Sequence, residues 1–229
     1  MSLKTPLPLK RIAVLLSGNG SNLQALIDYQ AQAPKGYQIV LVISNKAQAY
    51  GLERARRAGI ATCVIEHQQF PDRASFDREM QTVLDAHQVD LVVLAGFMRI
   101  LSAPFTQHFY GRMLNIHPSL LPKYPGLDTH QRVLEEGDAE HGLSIHFVTQ
   151  ELDGGPIILQ SRLSVQKQDT AASLQQKIHQ LEHCAYPQVV QGICQGLLEL
   201  RQDKVYFKHQ PLSQPLELSA LAQALSEIA

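Results

Sequence analysis

A chain of 229 residues, 45% apolar and 18% charged, can bury a large core without covalent staples and is too apolar for general disorder. Its 20 Lys and Arg against 21 Asp and Glu leave a formal charge of −1, so it lacks the basic excess of a sequence-blind nucleic-acid binder. Three cysteines (Cys63, Cys184, Cys194) without a C-x-x-C exclude a disulfide framework and a zinc ribbon, and they suit a reducing cytoplasm.

Residues 1–10 carry Pro6 and Pro8 and read as a flexible leader. Lys10-Arg11 precede an apolar run, Ile12 to Leu16, that is too short for a signal peptide and of buried-strand length. Ser21 to Tyr29 has Leu23, Leu26 and Ile27 at helical spacing. Ile39 to Ile43 is a second strand, and Tyr50 to Ala58 a helix stopped by Gly59, with Arg54, Arg56 and Arg57 read as its solvated face. Thr62 to Ile65, the helix Ser75 to His87, the strand Leu91 to Ala95 and a short strand Met113 to Ile116 follow. Such alternation predicts βαβ units: an α/β fold with a doubly wound, mostly parallel sheet flanked by helices. Beyond it, Leu143 to Val148 and Ile157 to Val165 read as strands about a Gly-Gly-Pro turn. Thr170 to Leu200 reads as a long helix bent near Pro187, Lys204 to Phe207 as a last strand, and Leu216 to Ile228 as a packing helix. The expected organisation is a single domain over 11–208 with a tail at 209–229. No segment approaches the ~20 apolar residues of a membrane span.

Three clusters could carry chemistry. Ser17-Gly18-Asn19-Gly20-Ser21-Asn22 joins the first strand to the first helix. Its glycines let an anion approach the backbone, and the helix N-terminus offers N–H groups to receive it. A dinucleotide fingerprint would need a third glycine where Leu23 stands and an acid after Ser44-Asn45, so one phosphate fits better than a pyrophosphate. The plain alternative is a capped tight turn. Asn115-Ile116-His117-Pro118 ends the strand whose carboxyl end should face the ligand crevice. There an imidazole and a carboxamide two residues apart could donate two hydrogen bonds to a developing oxyanion. A structural histidine is the competing reading. Glu151-Leu152-Asp153-Gly154-Gly155-Pro156 would hold Asp153 at a sharp turn, where a carboxylate can orient a histidine, or it is only an Asp-Gly turn. His179-Gln180-Leu181-Glu182-His183 has the H-x-x-E-H spacing of some zinc hydrolases, but the sequence shows no third ligand. Met98 to Leu101 is either a core edge or the wall of an apolar slot.

Taken in order, these pieces resemble a known family. Leu15 to Asn22, Ser44-Asn45-Lys46-Ala47, Ala95-Gly96-Phe97-Met98-Arg99-Ile100-Leu101, Asn115 to Pro122, His141 to Val148 and Glu151 to Pro156 are similar to the folate-dependent phosphoribosylglycinamide formyltransferases, from about Arg11 to Val190. The resemblance implies Asn115, His117 and Asp153 as the catalytic trio. It implies Gly20, Ser21, Asn22, His179, Gln180, Leu181 and Glu182 as contacts of the ribonucleotide. It implies Arg73, Met98, Arg99, Ile100, Leu101, Asn115, Thr149, Gln150, Glu151, Leu152 and Asp153 as the folate site, with Ser144 and His146 in support. The co-substrate would be 10-formyltetrahydrofolate, without a metal. The expected partners are small-molecule substrates, not nucleic acid or membrane, in a cytoplasmic monomer or homodimer. Alternatives are another formyltetrahydrofolate-dependent amine formyltransferase, such as one acting on methionyl-tRNA or a sugar amine, and a phosphate-binding module without turnover.

Overall fold

The computed structural model describes residues 9–32 and 35–227. A seven-stranded sheet runs through the molecule in the order β3-β2-β1-β4-β5-β6-β7. β1 (Lys10–Leu16), β2 (Tyr37–Ser44), β3 (Ala61–Val64), β4 (Leu91–Leu94) and β5 (Met113–His117) pair in parallel. β6 (Glu140–Phe147) and β7 (Ile157–Ser164) add to this set antiparallel. The mostly parallel sheet expected from the alternation is the one observed.

The continuous apolar run of β1 is a consequence of burial on both faces. Side chains alternate along a strand. Ile12, Val14 and Leu16 face one core, shared with Leu23, Leu26, Ile178, Tyr186 and Val190. Ala13 and Leu15 face the other, with Phe76, Met80, Leu84, Phe105 and Phe109. The helices supplying these side chains are α1 (Ser21–Gln32), α3 (Arg73–Ala86), α4 (Ala103–His108) and α6 (Ala171–Cys194), while α2 (Tyr50–Arg57) lies against α1.

Several boundaries differ from the sequence expectation. Helix α4, with Pro104 in its first turn, and helix α5 (Thr129–Glu136) were not expected; α5 buries only Thr129 and Val133, too sparse a stripe to read as a helical period. Strand β6 begins at Glu140, ahead of Leu143. Helix α6 opens on a Thr170–Ser173 capping box, stays helical through Pro187 and stops at Cys194, short of Leu200. Gly196 takes φ +75°. The bonds Leu197 N to Gly192 O (2.8 Å) and Gly196 N to Ile193 O (3.0 Å) then close the helix in a Schellman motif. The apolar residues after it enter β8 (Leu198–Arg201), which pairs with β9 (Lys204–Phe207) and β10 (Gln210–Pro211) in a separate small sheet.

The leader falls outside the described residues up to position 8, and Lys10 already belongs to β1. In the tail, Leu216 pairs with the outer edge of β7 and α7 (Leu218–Ser226) buries Leu221, Ala224 and Leu225; Ile228 lies outside the described residues. This cover blunts an otherwise open strand edge.

Candidate active site

The strand order reverses at β1. The chain winds outward through β2 and β3, then crosses to β4 on the other side of β1. Open α/β sheets bind ligands at such a switch point, outside the carboxyl ends of the strands. Three segments meet there: the glycine loop after β1, the Gly96–Leu101 loop after β4, and Asn115 to His117 at the end of β5. β1 and β5 are two strand spacings apart, about 10 Å. The Ser17 hydroxyl joins the first two loops. It accepts from Met98 N at 2.8 Å and donates to Asn45 Oδ1 at 2.6 Å. Tyr186 braces the floor, donating to Leu94 O at 2.8 Å.

Asn115, His117, His146 and Asp153 converge on one cluster. Paired strands place Asn115 opposite His146. His146 Nδ1 lies 2.9 Å from Phe147 O. A carbonyl only accepts, so Nδ1 carries the proton and Nε2 keeps its lone pair for Asn115 Nδ2, 3.1 Å away. Burial holds the His146 pKa below its ordinary value, which keeps that neutral form. Asn115 Nδ2 turns its other hydrogen toward Asp153 Oδ1 at 3.4 Å. His117 Nε2 donates to Tyr124 O at 2.8 Å, and its Nδ1 stands 3.5 Å from Asp153 Oδ2. Asp153 is itself fixed by Gly126 N at 2.9 Å, and its side chain is only 7% exposed. Ser144 accepts from Leu121 N and Gln160 Nε2 and donates to Ser119 O, anchoring the loop that carries Tyr124.

The turn that presents Asp153 depends on Gly155. A Cβ there would collide with the Phe147 carbonyl, which is backbone and cannot swing aside. Gly155→Ala is expected to cost about 1–3 kcal/mol of stability and to lower turnover with it. Wild-type values for both in a thermal melt and a rate assay would show that the turn has slack.

A cavity of about 100 Å³ is lined by Leu94, Phe97, Arg99, Ile100, Leu101, Thr106, Asn115, His146 and the 148–153 segment. Apolar walls above a few convergent polar groups suit a ring system with polar edges. Of the two readings for Met98 to Leu101, the slot wall holds for Arg99, Ile100 and Leu101, whereas Met98 points out, 60% exposed. Arg73 is exposed at the start of α3 and does not line the cavity. A larger cavity of about 320 Å³ lies between the 120–124 loop and β6–β7. It contains none of the candidate catalytic side chains, so volume alone does not mark the site.

At the glycine loop, the first helical bond of α1 runs from Gln24 N to Gly20 O at 3.0 Å. The N–H groups of Ser21, Asn22 and Leu23 therefore have no acceptor inside the helix. Asn22 Nδ2 donates to Glu182 Oε2 at 2.9 Å, while Asn22 Oδ1 is buried without a partner. Burial raises the Glu182 pKa to about 7 against the opposing hydrogen bond from Asn22. Of its neighbours on α6, Leu181 packs against the core, Gln180 is exposed and His179 is half-buried. The His179 and His183 rings stack 6.1 Å apart. Among the described residues no group of three or more His, Cys, Asp or Glu is placed to hold a metal ion.

Residues 10–190, from β1 to the last turns of α6, match the formyl transferase family. The chain belongs to that family. It is 51% identical over 202 residues to phosphoribosylglycinamide formyltransferase of Escherichia coli (strain K12), covering 88% of this chain and 95% of the relative. It is 47% identical over 193 residues to the trifunctional purine biosynthetic protein adenosine-3 of Homo sapiens, which takes in 84% of this chain but 19% of that protein. Among solved structures, phosphoribosylglycinamide formyltransferase from Coxiella burnetii is 49% identical with a TM-score of 0.86, over 90% of this chain and 96% of that one.

Within this formyl transferase, two backbone groups of the cluster escaped the sequence reading: the Tyr124 carbonyl and the Gly126 N–H. Backbone contacts leave no trace in residue type. Only the Pro125-Gly126 pair signalled a turn there. Arg54 was also misplaced. Arg56 and Arg57 are solvated as expected, but Arg54 turns inward onto the glycine loop.

Proposed function

We propose that this chain transfers the formyl group of 10-formyltetrahydrofolate to the amine of 5'-phosphoribosylglycinamide, a step of purine synthesis. One observation carries the reading. A cluster of amide, imidazole and carboxylate stands at one end of the switch-point crevice, and a glycine loop with free helix N–H groups stands at the other. The folate co-substrate supplies the one-carbon unit, with its ring in the slot walled by Arg99 to Leu101 and the 148–153 segment. The side chains do the rest.

Amine attack on a formyl carbon puts negative charge on the formyl oxygen, and preorganised donors there lower the barrier. Asn115 Nδ2 is such a donor, its amide aimed by His146. As an imidazolium His117 is the second, through Nδ1–H, because Nε2–H is held by the Tyr124 carbonyl. Asp153 is in loose contact with both, at 3.4 Å and 3.5 Å. A charge-assisted bond at its best is about 2.7–2.9 Å, so these contacts leave room for a reacting group and tighten around it. Asp153 orients His117 and carries the amine proton, directly or through water, to the folate nitrogen that departs as its bond to the formyl carbon breaks. The direct attack calls for no enzyme nucleophile.

Gly20, Ser21 and Asn22 hold the phosphate ester, and Glu182 with His179 faces the ribonucleotide. Gly20 takes φ +75° and a Cβ on it would stand 2.6 Å from Gly51 Cα, so Gly20→Ala distorts the loop. This variant and Asn22→Ala are expected to raise the KM for the ribonucleotide about tenfold, with kcat little changed. An unaltered KM in both would remove the loop from the phosphate. The substrate class is tested by offering glycinamide ribonucleotide beside other amine acceptors with 10-formyltetrahydrofolate. Product from the ribonucleotide alone is expected; a faster reaction with another amine overturns the assignment.

No helix among the described residues is long and apolar enough to cross a membrane. We assign the chemistry to the cytoplasm, whose reducing conditions suit the free thiols of Cys63, Cys184 and Cys194.

A further inference from the structure

Three contacts tie α2 to the glycine loop. Gly51 N donates to Gly18 O at 3.1 Å. Gly20 and Gly51 lie back to back, with no room for a side chain on either. The third is Arg54. Its Nε donates to the Asn19 carbonyl at 2.9 Å, Nη2 to Asn19 Oδ1 at 3.0 Å and Nη1 to Gln24 Oε1 at 3.2 Å. Its guanidinium rests 4.9 Å from the Tyr50 ring centre. Every guanidinium nitrogen is thus committed to the loop or to α1. Three of its five N–H donors are spent in this way.

The Asn19 carbonyl and the Gly20 N–H belong to one planar trans peptide and point in opposite directions. Whatever holds the carbonyl aims the N–H. We propose that Arg54 is a positioning residue for the ribonucleotide: by fixing the Asn19–Gly20 peptide plane it turns the Gly20 N–H outward, toward the anion that the loop receives. A charged donor on the carbonyl also polarises that peptide and strengthens its N–H. This inference rests on the reading of Gly20 to Asn22 as the phosphate loop.

The geometry separates positioning from simple charge. Lysine keeps the charge but not the planar fork. Arg54→Lys and Arg54→Gln are therefore expected to raise the ribonucleotide KM alike, about tenfold, the scale of one charge-assisted hydrogen bond. The turnover number and the KM for 10-formyltetrahydrofolate should stay within about twofold. A wild-type ribonucleotide KM in Arg54→Lys would mean that charge, not positioning, matters, and would overturn the proposal, as would an unchanged KM in both variants. Should Arg54→Gln fail to fold, Asn19→Ala removes one of the three bonds from the other side. Its effect and that of Arg54→Lys should fall short of additive when combined, and strict additivity overturns the coupling. Gly20→Ala and Asn22→Ala, run in parallel, tell the two readings apart. If they raise KM and the Arg54 variants do not, only the role of Arg54 falls. If none raises it, the phosphate loop itself was misassigned.

Discussion

Asp153→Asn is expected to lower turnover by about a hundredfold to ten-thousandfold, the range of a positioned proton-transfer group, while binding of the ribonucleotide is kept. The side chain reaches both proposed oxyanion donors. One oxygen stands near Asn115 Nδ2 and the other near His117 Nδ1, and Gly126 N locks its rotamer. The amide substitution preserves shape, and Asn tolerates the φ of +52° that position 153 adopts. It removes the negative charge and replaces one acceptor oxygen with a donor. That NH2 would confront either Asn115 Nδ2 or the Gly126 N–H, each offering a hydrogen of its own. The measurement is single-turnover formyl transfer beside ribonucleotide binding by calorimetry. A rate within a few-fold of wild type in a folded variant would strip Asp153 of its role. His117→Ala should fall with it, and because the two act as a pair, the double variant should be little worse than either single one.

Glu182→Gln is expected to stabilise the protein at pH 8 by on the order of 3 kcal/mol, yet weaken the ribonucleotide. Glu182 is 5% exposed and its pKa is pushed up to about 7 by burial. A carboxyl raised above its unfolded value contributes fully below the unfolded value of 4.5 and loses that contribution as pH rises through about 7. At pH 8 the wild type carries a buried charge held by one amide, Asn22 Nδ2. Glutamine keeps an acceptor for that amide and carries no charge. Melting curves of the two proteins should separate at pH 8 and converge near pH 4. Parallel curves at both values would show that the charge is well solvated in the folded state. A buried carboxylate that costs stability at neutral pH is a mark of a site kept for its ligand.

Much of the sheet could be read from the chain because each parallel strand is covered on both sides. Burial of both faces turned β1, β2 and β4 into uninterrupted apolar runs, and the helices between them into periodic ones. The same reading failed where local pattern and long-range packing parted. α5 is almost wholly polar outside Thr129 and Val133. The apolar residues after Cys194 continued the helical rhythm, yet a left-handed Gly196 diverted them into a second sheet. In the site, Asn115, His117 and Asp153 were legible as residue types beside turn formers. Nothing local showed that His146 would sit opposite Asn115, since that depends on the register between β5 and β6.

The sequence by itself determined which side chains were available and which segments would be strands: the glycine loop, the Asn115-to-His117 strand end, the Asp153 turn and the family they belong to. Only the tertiary structure decided what those groups can donate and to whom. It spent the Nε2 proton of His117 on the Tyr124 carbonyl, aimed the Asn115 amide through a neutral His146, and drew Arg54 out of a solvated row onto the Asn19 peptide. The physical reason is that a hydrogen bond depends on distance and direction between groups far apart in the chain, 38 residues in the case of Asn115 and Asp153. No spacing along the sequence encodes those quantities.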